Sequence, residues 1–173
     1  MAITRLGGAN AISGTIPQGN IANASLGAVT ALPASIPTGK VLQVVTATKT
    51  NETSTTANSM VSLGLSQSIT PSATGSKILI NMNINFIRKV TDTFISFKIK
   101  RDIGGSNTDI VDNIGNLDTG DSQQLTSCIS FSFLDSPNTT SSCTYSIDFQ
   151  SSNGSILGAS EKPSTLFLTE IGA

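Results

Sequence analysis

Between positions 78 and 86 two kinds of side chain occupy opposite parities. Ile78, Ile80, Met82, Ile84 and Phe86 fall on one, and Asn81, Asn83 and Asn85 on the other. A helix would scatter these residues around its circumference. A β-strand, whose successive side chains point to opposite faces, gathers the apolar five on one side and the asparagines on the other. Such a strand needs a core against one face and a polar setting against the other, which ties the chain to a sheet with an inside and an outside.

The pattern recurs downstream. Residues 93–101 place Ile95, Phe97 and Ile99 inward and Ser96, Lys98 and Lys100 outward, and residues 90–93 are the expected hairpin turn from the preceding strand. Over 124–134, Leu125, Ile129, Phe131 and Phe133 alternate with Thr126, Ser130 and Ser132. Beyond a turn at Ser136-Pro137-Asn138, Cys143, Tyr145, Ile147 and Phe149 alternate with Thr144, Ser146 and Asp148. A β-branched run at 41–48, a looser alternation over 60–69 that stops at the turn cluster 70–75, and a closing run at 164–171 complete the set. Residues 103–120 read as a loop with a short strand at 108–112. Seven or eight strands without a helical stretch predict an all-β, antiparallel β-sandwich of jelly-roll-like type, with jelly roll and other sandwich topologies both open.

Composition says how such a sandwich meets water. Charged residues make up 12% of the 173, about half the usual share, while 25 Ser and 22 Thr take their place. Hydroxyls and amides therefore cover the surface, a choice that suits short strands and turns rather than long exposed helices. With 38% hydrophobic residues and a mean hydropathy of +0.12, the chain can bury a core.

The first 38 residues depart from this pattern. They contain Pro17, Pro33 and Pro37, and their apolar residues, Ile3, Leu6, Ile12, Ile16, Ile21, Leu26 and Leu32 among them, follow neither period for more than a few positions. Residues 1–38 are therefore expected to be an extended N-terminal arm, an assembly tether that buries single side chains in the grooves of a partner, or else a flexible leader. Residues 39–173 form the sandwich domain.

Histidine is absent, which removes Ser-His and Cys-His nucleophile pairs, His-ligated metals and imidazole bases. Carboxylate-only glycoside hydrolysis survives that exclusion, but the chain has no Trp and one Tyr with which to stack a sugar. The expectation is a protein that is not an enzyme and carries no cofactor. Asp109, Asp112, Asp118 and Asp121 form an oxygen-rich stretch that could supply Ca²⁺ ligands, although their spacing matches no EF-hand loop and solvated turn acids are the commoner explanation. Cys128 shares parity with polar residues and Cys143 with apolar ones, so free thiols are expected.

The densest cations, Arg88-Lys89 and Lys98/Lys100/Arg101, read as solvated strand edges, and no nucleic-acid partner is expected at a net charge of −1. No run of 18 apolar residues and no apolar signal region occurs, so neither membrane insertion nor secretory export is expected.

Two stretches carry a resemblance. The opening ITRLGGANAISGTIPQGNIANASLGAVTALP resembles the Gly/Asn-rich leaders of tail-fibre and other virion proteins of tailed bacteriophages, notably marine and cyanobacterial ones. PTGKVLQVVTATKT, SQSITPSATGSKILINMNINF and the terminal STLFLTEIGA are similar to a small β-sandwich recurring in such proteins. The resemblance implies a homotrimer in a virion assembled in the host cytoplasm, with the arms docking onto other virion proteins. Two roles follow from it. One is a trimeric tail-fibre or receptor-binding module whose polar loops 102–122 and 135–141 contact host surface glycan. The other is a trimeric capsid decoration, or cement, protein bridging capsid subunits.

Overall fold

A computed structural model describes residues 40–56, 58–89, 93–119, 125–151, 155–157 and 162–172. Residues 1–39, including every anchor of the expected arm, lie outside the described residues. Among the described residues there are ten strands: β1 (Val41–Lys49), β2 (Thr53–Thr55), β3 (Val61–Ile69), β4 (Lys77–Lys89), β5 (Thr93–Ile103), β6 (Ser106–Thr119), β7 (Leu125–Asp135), β8 (Cys143–Ser151), β9 (Ser155–Leu157) and β10 (Ser164–Ile171). The all-β class expected from the alternation is what the chain adopts.

These ten strands build two antiparallel sheets. Sheet I runs β1-β10-β4-β7, with the short β9 and β2 continuing beside the end of β4, and sheet II runs β3-β8-β5-β6. The pairing is nested: β1 lies against β10, β3 against β8, β4 against β7 and β5 against β6. The chain is thus one long antiparallel hairpin rolled up so that β10 also meets β4 and β8 meets β5. That order is a jelly roll.

The tip of the rolled hairpin is Gly104-Gly105, with φ of +61° and +89°. Ile103 pairs with Ser106 across it, so the turn is the two-residue type whose twist matches that of the strands and which needs positive φ at both positions. This overturns the reading of 103–120 as a loop. Residues 106–119 are the longest strand, and register shifts together with positive φ at Asn113 and Gly115 blur its alternation in the sequence. At Gly115 a Cβ would collide with the Ile129 side chain of β7, so glycine is what lets β6 close over the opposite sheet.

The expected hairpin at 90–93 is also overturned. β4 belongs to sheet I and β5 to sheet II, so the connection passes from one sheet to the other. Two adjacent alternating strands look the same in sequence whether they pair or face each other.

The core lies between the sheets. Ile78, Ile80, Met82, Ile84, Leu166 and Leu168 from sheet I meet Leu63, Leu65, Ile95, Phe97, Ile99, Tyr145, Ile147 and Phe149 from sheet II, all buried. The Phe97 and Phe149 rings stack with centroids 6.4 Å apart. One inward position differs from expectation. A bulge between Ile84 and Ile87 turns Phe86 to φ +56° and half-exposes it, and Ile87 takes the buried place.

Candidate interaction surface

The two outer faces of the sandwich differ in chemistry. On sheet I the register aligns outward residues in rows across four strands. Val44, Thr169, Leu79 and Leu134 form one, Thr46, Phe167, Asn81 and Ser132 the next, and Thr48, Thr165, Asn83 and Ser130 a third. None of these twelve residues is charged. Among the described residues charge begins at the margins, at Lys77 and Arg88 of β4 and at Lys162, which lines a depression with Asn85, Thr126 and Cys128.

Among the described residues, the large hydrophobic side chains left exposed are Val41, Leu42, Val44, Leu134 and Phe167, and every one belongs to a strand of sheet I. Phe167 is 41% exposed at the centre of the face. It forms one wall of a shallow depression of about 260 Å³, whose other walls include Asn81, Asn83, Ser130, Ser132 and Thr165. Ser132 Oγ donates to Asn81 Oδ1 at 2.7 Å inside it.

Sheet II presents charge, and pairs it internally. Lys98 Nζ donates to Asp109 Oδ2 at 2.7 Å and lies 3.6 Å from Asp112 Oδ2, while Lys100 Nζ reaches Asp148 Oδ2 at 2.6 Å. The Asp109 hydrogen bond, with the nearby Asp112 charge, raises the Lys98 pKa although desolvation works against it. Of the oxygen-rich stretch, then, Asp109 and Asp112 sit on a strand with an ammonium between them. Asp118 contributes backbone to the pairing of β6 with Phe94, and Asp121 lies outside the described residues. Among the described residues no group of three or more metal-ligating side chains converges.

Arg101 is not the solvated edge that was expected. It continues the inward parity of Ile95, Phe97 and Ile99, and its Nη1 donates to both oxygens of Asp135, at 2.8 and 2.6 Å. Asp135 likewise ends the inward parity of β7, is buried, and accepts the Tyr145 hydroxyl at 2.7 Å. Burial, reinforced by that carboxylate, pushes the Tyr145 hydroxyl well above the usual phenol range.

A second buried acid stands at the end of β10. Glu170 accepts from Gln43 Nε2 at 2.6 Å and from the Ser72 backbone N–H and hydroxyl, both at 2.7 Å. Burial alone would raise its pKa, but the Ser72 and Gln43 donors more than offset that and hold it at about 2. An acid continuing the inward parity of a strand is the signal that finds Asp135.

The two cysteines lie where parity put them, Cys128 exposed on the outer face of β7 and Cys143 buried, both free. They belong to strands of different sheets. The sequence-predicted partner anchors Ile3, Leu6, Ile12, Ile16, Ile21, Leu26 and Leu32 lie outside the described residues.

Fold and surface together define a jelly-roll β-sandwich with one charged, internally ion-paired face and one whose central rows are uncharged. No protein-family model and no curated protein matches the chain. Solved structures of infectious bursal disease virus are similar to it in part. VP2 of that virus in a subviral particle aligns at 15% identity over 76% of this chain and 37% of that one, with a TM-score of 0.42. The virus-derived T=1 particle gives 15%, 76%, 36% and 0.44 for the same quantities, and the T13 viral particle gives 11%, 75%, 37% and 0.41. The chain spans little more than a third of the length of those viral chains. At these values it is the strand order, rather than the likeness, that defines the class.

Proposed function

We propose that the chain is a structural component of a bacteriophage virion, a trimeric tail-fibre or receptor-binding module whose residues 1–38 tether it to other virion proteins. It acts by contact and not by catalysis. The uncharged outer face of sheet I carries this reading. A sheet face turned permanently to water gains from charge, and this one instead collects the exposed apolar side chains of the described domain. Such a face suits burial in an assembly, while the charged face of sheet II suits display.

The absence of His and Trp supports a non-catalytic role, since it withdraws the usual bases, metal ligands and sugar platforms. The leader's resemblance to tail-fibre leaders supports the tether; with 106–119 a strand, the Gly104-Gly105 hairpin tip and the turn at 136–141 are the places from which a host surface glycan would be met.

Imaging of labelled particles tests the location. A few copies at the tail are expected, and copies at capsid three-fold sites would transfer the chain to the capsid-decoration role. A solution mass of one chain at all accessible concentrations would remove the trimer.

A further inference from the structure

We infer that the partner covering the outer face of sheet I is the same face of further copies of this chain, with Phe167 as the central anchor. The inference rests on the trimeric reading above and names the surface that would build the trimer.

The first argument is electrostatic. A face with a surplus of one sign repels its own copy, whereas an uncharged face does not, whatever rotation relates the two. Sheet II carries such a surplus, with two lysines, Lys98 and Lys100, set against three aspartates, Asp109, Asp112 and Asp148. The three rows of sheet I contain no charge at all. The margin holds Lys77, Arg88 and Lys162, which places like charges at the rim, where water screens them.

The second argument is chemical self-complementarity. Thr46, Thr48, Asn81, Asn83, Ser130 and Ser132 all carry side chains that both donate and accept hydrogen bonds. An identical surface can satisfy them in more than one register. A partner of different chemistry would need no such neutrality, and a heterologous protein contact is more often matched by charge of opposite sign.

The third is shape. The Phe167 ring stands beside the depression bounded by Asn81, Asn83, Ser130, Ser132 and Thr165. A knob next to a hole lets one copy's ring enter its neighbour's depression, and a rotation repeats the contact until the ring of subunits closes. Val44, Leu79 and Leu134 form the adjoining row, so the apolar contact would extend from β1 to β7. The charged sheet II and the Gly104-Gly105 hairpin tip would remain on the outside.

The test uses the full chain and its mass in solution by light scattering. Three proteins are compared with the parent: Phe167→Glu, Ser132→Lys, and Ser66→Glu on the outer face of sheet II. Phe167 and Ser132 are outward and in contact with water in the single chain, and thermal melts show whether each variant keeps the fold. The parent and Ser66→Glu are expected at three times the 17.8 kDa chain mass. Phe167→Glu and Ser132→Lys are expected at one chain mass with the melt retained. If both sheet I variants stay trimeric, the face is wrong while the trimer stands. If they stay trimeric but removal of residues 1–38 yields monomer, the leader builds the trimer and the inference falls. If the parent itself is monomeric, the trimeric reading fails and the inference with it.

Discussion

The Tyr145 hydroxyl donates to Asp135 Oδ2 at 2.7 Å across the interior of the sandwich, joining β8 of one sheet to β7 of the other. Arg101 closes the same carboxylate from the side with two contacts, so three polar groups replace apolar packing at one end of the core. The carboxylate's charge is balanced by the guanidinium, and the phenol supplies one more donor.

This cluster makes an ordered prediction. Arg101→Met leaves Asp135 buried without its cation and should destabilise the domain by about 3–5 kcal/mol. Tyr145→Phe removes one donor while the ion pair remains, and should lose only about 1 kcal/mol. Urea unfolding of the two variants measures both. Equal losses would mean that the guanidinium is not the group that stabilises the charge.

Glu170 predicts an acid limb. Its folded pKa is about 2, below its ordinary value of 4.5, so the folded state binds its proton less readily than the unfolded chain. The associated stability is fully present above about pH 4.5 and is lost as pH falls towards 2. The melting temperature should drop through that window, and Glu170→Gln should flatten the drop while lowering stability at pH 7. A parent and a Glu170→Gln curve of identical slope would show that other carboxylates govern the limb.

Two glycines separate backbone strain from crowding. Around Gly105, at φ +89°, an added Cβ meets nothing within 4 Å, so Gly105→Ala should carry only the left-handed penalty of about 1–2 kcal/mol. Gly115→Ala bears a similar strain and also drives a methyl into Ile129, which adds about 1–3 kcal/mol of overpacking. Chemical denaturation should rank Gly115→Ala clearly below Gly105→Ala in stability.

The bulge in β4 is tested by truncation. Ile87→Ala empties a buried position and should lose about 2–5 kcal/mol. Phe86→Ala removes a half-exposed ring lying under Lys162 Nζ, 5.5 Å from its centroid, and should lose less than about 2 kcal/mol. Unbroken alternation along β4 would give the opposite order.

Calcium offers a fifth comparison. Because the Lys98 ammonium lies between Asp109 and Asp112, millimolar Ca²⁺ should leave the melting temperature of the parent unchanged. Lys98→Met exposes the two carboxylates to each other and should gain a calcium-dependent rise. A rise in the parent would show that a cation site exists despite the lysine.

The sequence by itself determined which side chains go inside. Ile78, Ile80, Met82, Ile84, Phe97, Tyr145 and Phe149 are core by parity alone, because strand geometry alternates side chains residue by residue and needs no knowledge of the partner strand. The same rule, extended one step, would have placed Arg101 and Asp135 inside, whereas the strand of Glu170 has apolar residues on both parities and its inward side is set by the fold. The rule fails at Phe86, where a bulge adds a residue that no local pattern announces.

Only the tertiary structure decided which strands pair. Val41 meets Ile171 and Lys49 meets Ser164 at nearly the full length of the domain, and β4 turns away from β5 to lie beside β10 and β7. The energy that selects those partners is burial shared by both sheets, and it exists only once the long hairpin has rolled. For the same reason the uncharged face was invisible in sequence. Its rows take one residue each from β1, β10, β4 and β7, and the long-range register alone brings Thr46, Phe167, Asn81 and Ser132 side by side.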